Sequence, residues 1–247
     1  MRAILTYHSI DRSGSIISVT PDAFRSHIEW LAKGNVLVVG LTELLALSDD
    51  VNAVALTFDD GLVSVASEAA PLLAAHAFPA TVFVVSEHVG LDNRWNGGAD
   101  PAIPVQKVLG WDALGQLRSQ GFTIGAHTRR HRHLQHCSND EVADEMGGSA
   151  DDIAAALGDR PATFAYPYGT FSPRVARIAA EHYDLSCTTE FQPVHADTPR
   201  EKVPRLDAWY YQNAKMLRHW GDPIFALSVT MGHALRRARR KIRRAVK

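Results

Sequence analysis

The sequence is poor in cysteine. Its 247 residues contain two, Cys137 and Cys187, too few and too far apart for a disulfide framework or a zinc ribbon. Both are expected as buried free thiols in a reducing compartment. Also lacking is any run of the about 18 apolar residues that a membrane-spanning helix needs. The first residues, Met1-Arg2-Ala3-Ile4-Leu5-Thr6-Tyr7-His8, hold one basic group and a short apolar stretch. They read as a first β-strand, not a secretory leader, and the expected location is the cytoplasm. There is no internal repeat and no low-complexity stretch.

What is present suits one compact unit. Hydrophobic residues make up 46% and charged residues 21% of the chain, ordinary for a soluble globular protein, and the length is typical of an α/β barrel. Net charge is −1 but unevenly spread. Residues 236–247 carry Arg236, Arg237, Arg239, Arg240, Lys241, Arg243, Arg244 and Lys247 with no acid, leaving the rest of the chain acidic on balance. We therefore divide the sequence into a body, residues 1–233, and a basic end, 234–247. Drawn as a helix, the end has Leu235, Ala238, Ile242 and Val246 along one face, the pattern of an element that lies on an anionic membrane surface. No aromatics interleave its basic residues to stack on bases, so no nucleic-acid partner is expected.

Along the body, strands alternate with helices. Residues 2–7, 54–58, 81–85, 122–126, 163–166, 185–189 and 203–206 read as strands. Thr20 and Pro21 open a helix with Phe24, Ile28 and Leu31 on one face. Further helices are expected over 63–76, from Trp111 to about Gly121, from the capping box Ser138/Glu141 to about Leu157, and from Pro173. Residues 88–110, with several Gly and Pro, read as a long loop. Such alternation implies a parallel sheet, and about seven units imply a closed or nearly closed (β/α) barrel. Chemistry in such a barrel sits at the C-terminal ends of the strands.

Asp59-Asp60 follows one strand directly, and His127 follows another with His131 four residues on. Singly, Asp-Asp-Gly is most often a turn and His-x-x-x-His a surface pair. At strand ends of one barrel they form a constellation. Asp60, His127 and His131 supply one carboxylate and two imidazoles, enough to hold a divalent metal with positions left open. Asp59 is placed to act as a general base.

Thr57-Phe58-Asp59-Asp60-Gly61, His127-Thr128-Arg129-Arg130-His131-Arg132-His133-Leu134 and Phe164-Ala165-Tyr166-Pro167-Tyr168-Gly169 resemble, in order, the motifs of the polysaccharide deacetylases, the NodB-homology or carbohydrate esterase 4 family. The resemblance covers roughly residues 1–210. It implies a distorted (β/α) barrel of the NodB type and a metal, zinc by preference, with Co2+, Ni2+, Mn2+ or Fe2+ as alternatives. The reaction it implies is hydrolysis of an N-acetyl or related amide on a sugar. Carried over, Asp59 resembles the base, and Asp60, His127 and His131 the metal ligands. The backbone N–H of Tyr168 resembles the oxyanion donor.

Two positions depart from the commonest pattern. Ala165-Tyr166 stands where an Arg usually contacts the base; Arg205 is a candidate to make that contact from another strand, with a surface ion pair as the other reading. The late Leu-x-His motif, source of the acid, has no good match, and Met231-Gly232-His233 is a poor one. Tyr7-His8 instead resembles the first-strand motif of a branch that includes the exopolysaccharide poly-N-acetylglucosamine deacetylases, which makes His8 the expected general acid. His27, His76 and His182 are read as packing or surface residues on helices, His133 and His136 as caps of the following loop, and His195 as a candidate for the substrate groove.

Other readings stay open. Related barrels cleave other non-peptide C–N bonds, in formamides and cyclic ureides. Two His and a carboxylate also describe a non-haem iron enzyme, though the neighbouring second Asp argues against it. A carbohydrate-binding relic would not need Asp59 and His8. The expected substrate is an intracellular glycan or glycolipid precursor, with contact to the inner face of the membrane through 234–247.

Overall fold

A computed structural model describes residues 1–95 and 102–245, with side chains described through 234. Seven parallel strands form its centre: β1 (Arg2–Tyr7), β2 (Ala53–Phe58), β3 (Thr81–Val84), β4 (Thr123–Ala126), β5 (Thr163–Ala165), β6 (Leu185–Cys187) and β7 (Leu206–Asp207). Their spatial order is β7-β1-β2-β3-β4-β5-β6, with Leu37–Val38 paired to β2. Strands β1 and β2 are buried along their whole length, which is why both read as near-continuous apolar runs and not as alternations. The register sets Ile4 beside Ala55 and Leu5 beside Leu56. At the far end, Val203 bridges to Cys187 of β6, while Leu206 and Asp207 pair with Leu5 and Thr6 of β1. The segment 203–207 thus touches both edges of the curled sheet, and the architecture is the distorted α/β barrel that the alternation implies.

The helices that cover the sheet are α1 (Pro21–Leu31), α2 (Leu41–Ala46), α3 (Ala70–Ala74), α4 (Trp111–Ser119), α5 (Asn139–Ala143), α6 (Ser149–Leu157), α7 (Pro173–His182) and α8 (Pro223–Ala245). Thr20 caps α1 by accepting from the Ala23 amide, and Phe24, Ile28 and Leu31 are buried. Ser138 and Glu141 form both bonds of the capping box on α5.

Two expected helices are not uniform. The one expected over 63–76 begins as a π-turn, Val65–Ala69, before α3. The one expected to run to Leu157 widens into a π-segment, Asp144–Gly148, between α5 and α6. Its two glycines are places of close approach. A Cβ on Gly148 would lie 2.6 Å from the Arg129 side chain and one on Gly147 3.0 Å from the His182 ring. A π-segment widens the helix locally, with i→i+5 bonds in place of i→i+4, and here its Gly148 passes close to Arg129 in the loop that carries His127 and His131.

The helix drawn from residue 234 is the end of α8, which starts at Pro223 and is held to the body by Phe225 and Val229, both buried. How the basic side chains of 236–247 are arranged lies outside the described residues. Among the described residues no helix is long and apolar enough to cross a membrane. Cys137 and Cys187 are both free and buried, as the composition implied.

His27, on α1, is a packing residue. Its Nε2 lies 2.7 Å from the Tyr211 carbonyl, which can only accept, so Nε2 carries the hydrogen and Nδ1 accepts from the Tyr7 hydroxyl at 3.0 Å. Burial pushes its pKa down to about 4 against a smaller opposing effect of the Tyr211 carbonyl. The unfolded chain would protonate this ring near pH 6.5. The contribution to stability is therefore whole above that pH and is lost as pH falls from about 6.5 to about 4, amounting to about 3 kcal/mol. Urea unfolding followed over that range should show a steeper loss of stability in the wild type than in His27→Gln. Parallel slopes would show that His27 is not held neutral.

Candidate active site

The motif residues converge at the C-terminal ends of the strands. Asp59 and Asp60 follow β2, His127 follows β4, Tyr166 to Gly169 follow β5 and His8 follows β1. They line one cavity of about 290 Å³ together with Asn93, Arg94 and Trp95. Asp60, Thr128, His131 and Tyr168 all have positive φ, between 58° and 70°. Left-handed backbone is uncommon for residues with a Cβ and concentrates at functional sites. After Asp60 and Tyr168 the chain continues in the same region at Gly61 and Gly169, and a Cβ on Gly169 would lie 2.0 Å from Thr189. Only glycine fits there.

Asp59 is locked to Arg205. Nη1 and Nη2 donate to Oδ1 and Oδ2, both at 2.7 Å, and both residues are buried. The guanidinium also reaches the Thr188 carbonyl and Thr57 Oγ1. Burial by itself would push the Asp59 carboxyl up, but the Arg205 charge and hydrogen bonds outweigh it and hold the group well below the usual carboxylate range. Arg205 is thus no surface ion pair. It immediately precedes β7 and points inward to the carboxylate.

Asp60 faces the two histidines. Its Oδ1 lies 3.6 Å from His127 Nε2 and 3.5 Å from His131 Nε2, and the three donor atoms all lie within 4.8 Å of one another. Burial pushes the Asp60 carboxyl up and both imidazoles down. Asp60 Oδ1 is buried with no hydrogen-bond partner among the described residues. Two donors at about 2.1 Å from one tetrahedral zinc lie about 3.4 Å apart, so the donor types, the spacing and the orphaned oxygen all fit a divalent cation. His127 Nδ1 lies 2.7 Å from the Ala165 carbonyl, which fixes the hydrogen there and leaves Nε2 as the lone-pair donor.

The loop between these histidines is anchored from behind. Buried Glu145, in the π-segment, accepts from the backbone amides of Arg129 and Arg130 at 3.1 and 2.9 Å. Arg129 pairs with Asp144 and Asp152, and Arg130 with Glu87 and Asp144. Half-buried His8 lines the same cavity, with Nε2 at 3.9 Å from Asp59 Oδ2. Tyr168 lines the mouth and is 43% exposed.

With this geometry in view, the sequence was compared with known proteins. The model of the polysaccharide deacetylase family matches residues 47–183, more than half of the chain. The chain belongs to the polysaccharide deacetylase family. Among curated relatives of the family, YxkH of Bacillus subtilis (strain 168), which carries a polysaccharide-deacetylase name, is 25% identical over 193 residues. That match takes in 76% of this chain and 64% of YxkH, so the chain spans less than two thirds of that relative's length. Two solved structures share the fold. The Streptococcus pyogenes deacetylase PplD in complex with acetate superposes with a TM-score of 0.71 at 22% identity, over 83% of this chain and 91% of PplD. IcaB from Ammonifex degensii gives 0.71 at 22%, over 85% and 95%.

Some expectations for individual residues change. His195 does not reach the mouth. The next residue, Ala196, donates to Asp49, and Asp49 pairs with Arg2 at the start of β1, the opposite end of the barrel. His133, read as a loop cap, stacks on Tyr168 with ring centroids 3.8 Å apart. The loop over 88–110 is not a passive connection. Asn93, Arg94, Trp95, Ile103 and Val105 all line the cavity, and the legible signal was a tryptophan in a glycine- and proline-containing stretch without periodicity.

The Asp59–Arg205 pair gives a test of its own. Removing one member strands a buried charge, which costs about 3–5 kcal/mol, whereas an apolar pair of similar volume is often tolerated. Arg205→Met should lose that much stability in denaturant unfolding, and the double variant Asp59→Leu, Arg205→Met should recover most of it. Additive losses would mean that the two charges do not depend on each other.

Proposed function

We propose that the chain is a metal-dependent N-deacylase that removes an acetyl or related acyl group from an N-acylated sugar. One observation carries this reading: a single cavity holds a carboxylate kept ionised by a buried arginine, three donors spaced for one divalent cation, and a histidine beside that carboxylate. Asp60, His127 and His131 would hold the metal, zinc by preference. A bound divalent ion would supply Lewis-acid polarisation of the acyl oxygen and of water. Asp59, fixed by Arg205, takes the proton of the attacking water. The Tyr168 backbone amide donates to the oxyanion that develops on the acyl oxygen. His8 delivers a proton to the leaving nitrogen, which as an amide anion is too basic to depart; histidine is the side chain that exchanges protons near neutrality.

The substrate we infer is an intracellular glycan or glycolipid precursor. The body, residues 1–233, would carry the chemistry, and the basic end, 234–247, would hold the protein peripherally on an anionic inner membrane face. Supporting the second part, Ile224, Leu227 and Met231 on α8 are exposed at helical spacing, away from the buried Phe225 and Val229, and the sequence repeats that spacing at Leu235, Ala238 and Ile242.

Variants separate the roles. His127→Ala should lose stoichiometric zinc on metal analysis along with acetate release from N-acetylated sugars. Asp59→Asn should keep the metal and lose about 10²–10⁴-fold in turnover. His8→Ala should keep the metal and lose amide hydrolysis far more than hydrolysis of an activated ester, whose leaving group needs no proton. Full metal content in His127→Ala, near-normal turnover in Asp59→Asn, or equal loss on amide and ester in His8→Ala would each refute the corresponding role.

Deleting 236–247 should abolish sedimentation with anionic vesicles, where each basic group is worth about 1 kcal/mol. Hydrolysis of a small soluble substrate should be unchanged. Vesicle binding that survives the deletion would remove the membrane role.

A further inference from the structure

The two histidines of the site are held by different means. His127 has a fixed tautomer through the Ala165 carbonyl. His131 Nδ1 is buried and has no hydrogen-bond partner among the described residues, so the usual orienting contact of a metal-bound imidazole to a carbonyl or carboxylate is missing. Its backbone is at φ 58°, its amide donates to Thr128 Oγ1 at 2.9 Å, and among the described residues no hydrogen bond holds Nδ1.

Rings surround it instead. Trp95 stacks on His131 with centroids 4.9 Å apart and planes at 29°. Tyr168 meets it edge-on at 4.6 Å and 67°. Trp95 is itself braced by His88, 4.7 Å away at 75°. Aromatic pairs in these arrangements contribute beyond the area they bury.

Trp95 arrives on a tethered segment. Gly90 bonds to Leu109, Leu91 to Val108 and Asn93 to Gln106, and the returning strand bonds to Gly61 and Val63 beside the Asp59-Asp60 turn. Just before Trp95, Arg94 makes two side-chain bonds and one backbone bond to Asp92. The indole is therefore presented from a fixed frame, with one face on the imidazole and its remaining surface on the cavity.

We propose that Trp95 is the positioning residue of His131, setting by stacking the ring orientation that His127 obtains from a hydrogen bond. This rests on Asp60, His127 and His131 as the metal site. It makes cation affinity depend on the loop at the substrate mouth and not only on the barrel.

The test compares Zn2+ affinity, by competition with a chromophoric chelator, in metal-free wild type, Trp95→Ala and Trp95→Phe. Loss of an orienting partner of a metal-bound histidine weakens affinity by about 10–100-fold. That loss is expected for Trp95→Ala, with Trp95→Phe restoring affinity because a ring still stacks. Should Trp95→Ala not fold, Trp95→Leu, which keeps bulk without a ring, is expected to show the same loss. Co2+ titration gives a second readout. Tryptophan fluorescence should be quenched on binding in wild type and in Trp111→Phe, and that component should vanish in Trp95→Phe. Wild-type affinity in the Ala or Leu variant, affinity in Trp95→Phe as weak as in Trp95→Ala, or an unchanged Co2+ quench in Trp95→Phe overturns the proposal. A wild-type chain that binds neither ion overturns the metal assignment, and this proposal with it.

Discussion

The buried pair of Asp59 and Arg205 is the constraint on which the site depends. Two full charges sit buried at the end of a largely apolar barrel interior, and each is tolerable only because the other is there. The guanidinium has no freedom of its own, being tied also to the Thr188 carbonyl and Thr57 Oγ1. The carboxylate in turn cannot rotate without breaking two short, charge-assisted bonds. This keeps Asp59 ionised, and it leaves Asp60, the next residue, as the acid turned toward the histidines. Two adjacent carboxylates thereby receive opposite environments: one held far below its ordinary range by a cation, the other pushed up by burial, with Oδ1 making no hydrogen bond among the described residues.

Backbone conformation distributes these roles as much as side-chain identity does. Asp59 directly follows β2, and with positive φ at the next residue, Asp60, successive side chains face different partners. The same switch recurs at Thr128, His131 and Tyr168. Such conformations persist only where surroundings over-determine them. Here Glu145 accepts from two amides of the histidine loop, and the glycine pair of the π-segment lets that helix come near enough to do so.

Much of this was legible in the sequence because it is local. Strand followed by Asp-Asp-Gly, strand followed by His-x-x-x-His, and the Ser138/Glu141 cap are signals within a few residues of each other. The Arg205 contact was open on sequence grounds, since nothing local separates an arginine facing inward from one on the surface. The 88–110 segment was illegible for a different reason. Its order comes from two isolated bridges, Asp92 to Lys107 and Leu62 to Val108, not from a repeating ladder, so no hydrophobic period marks it. The π-segments escaped because each is a single wide turn of five residues inside a longer helical stretch. The start of α8 at Pro223 was missed because the basic run drew the boundary toward the charge and away from the proline.

The separation of Asp59 from Arg205, 146 residues along the chain, bears on how the protein is made. A ribosome delivers Asp59 146 residues before Arg205. Until then the carboxylate has no cation to meet, and sealing it from water would be costly. The barrel mouth must therefore stay hydrated until Arg205 has emerged. The segment 203–207 brings the partner and joins both sheet edges in the same step, so neutralisation of the carboxylate and completion of the wall are one cooperative event. Any nascent chain released before that point carries an unpaired Asp59 carboxylate in an open, unfinished sheet.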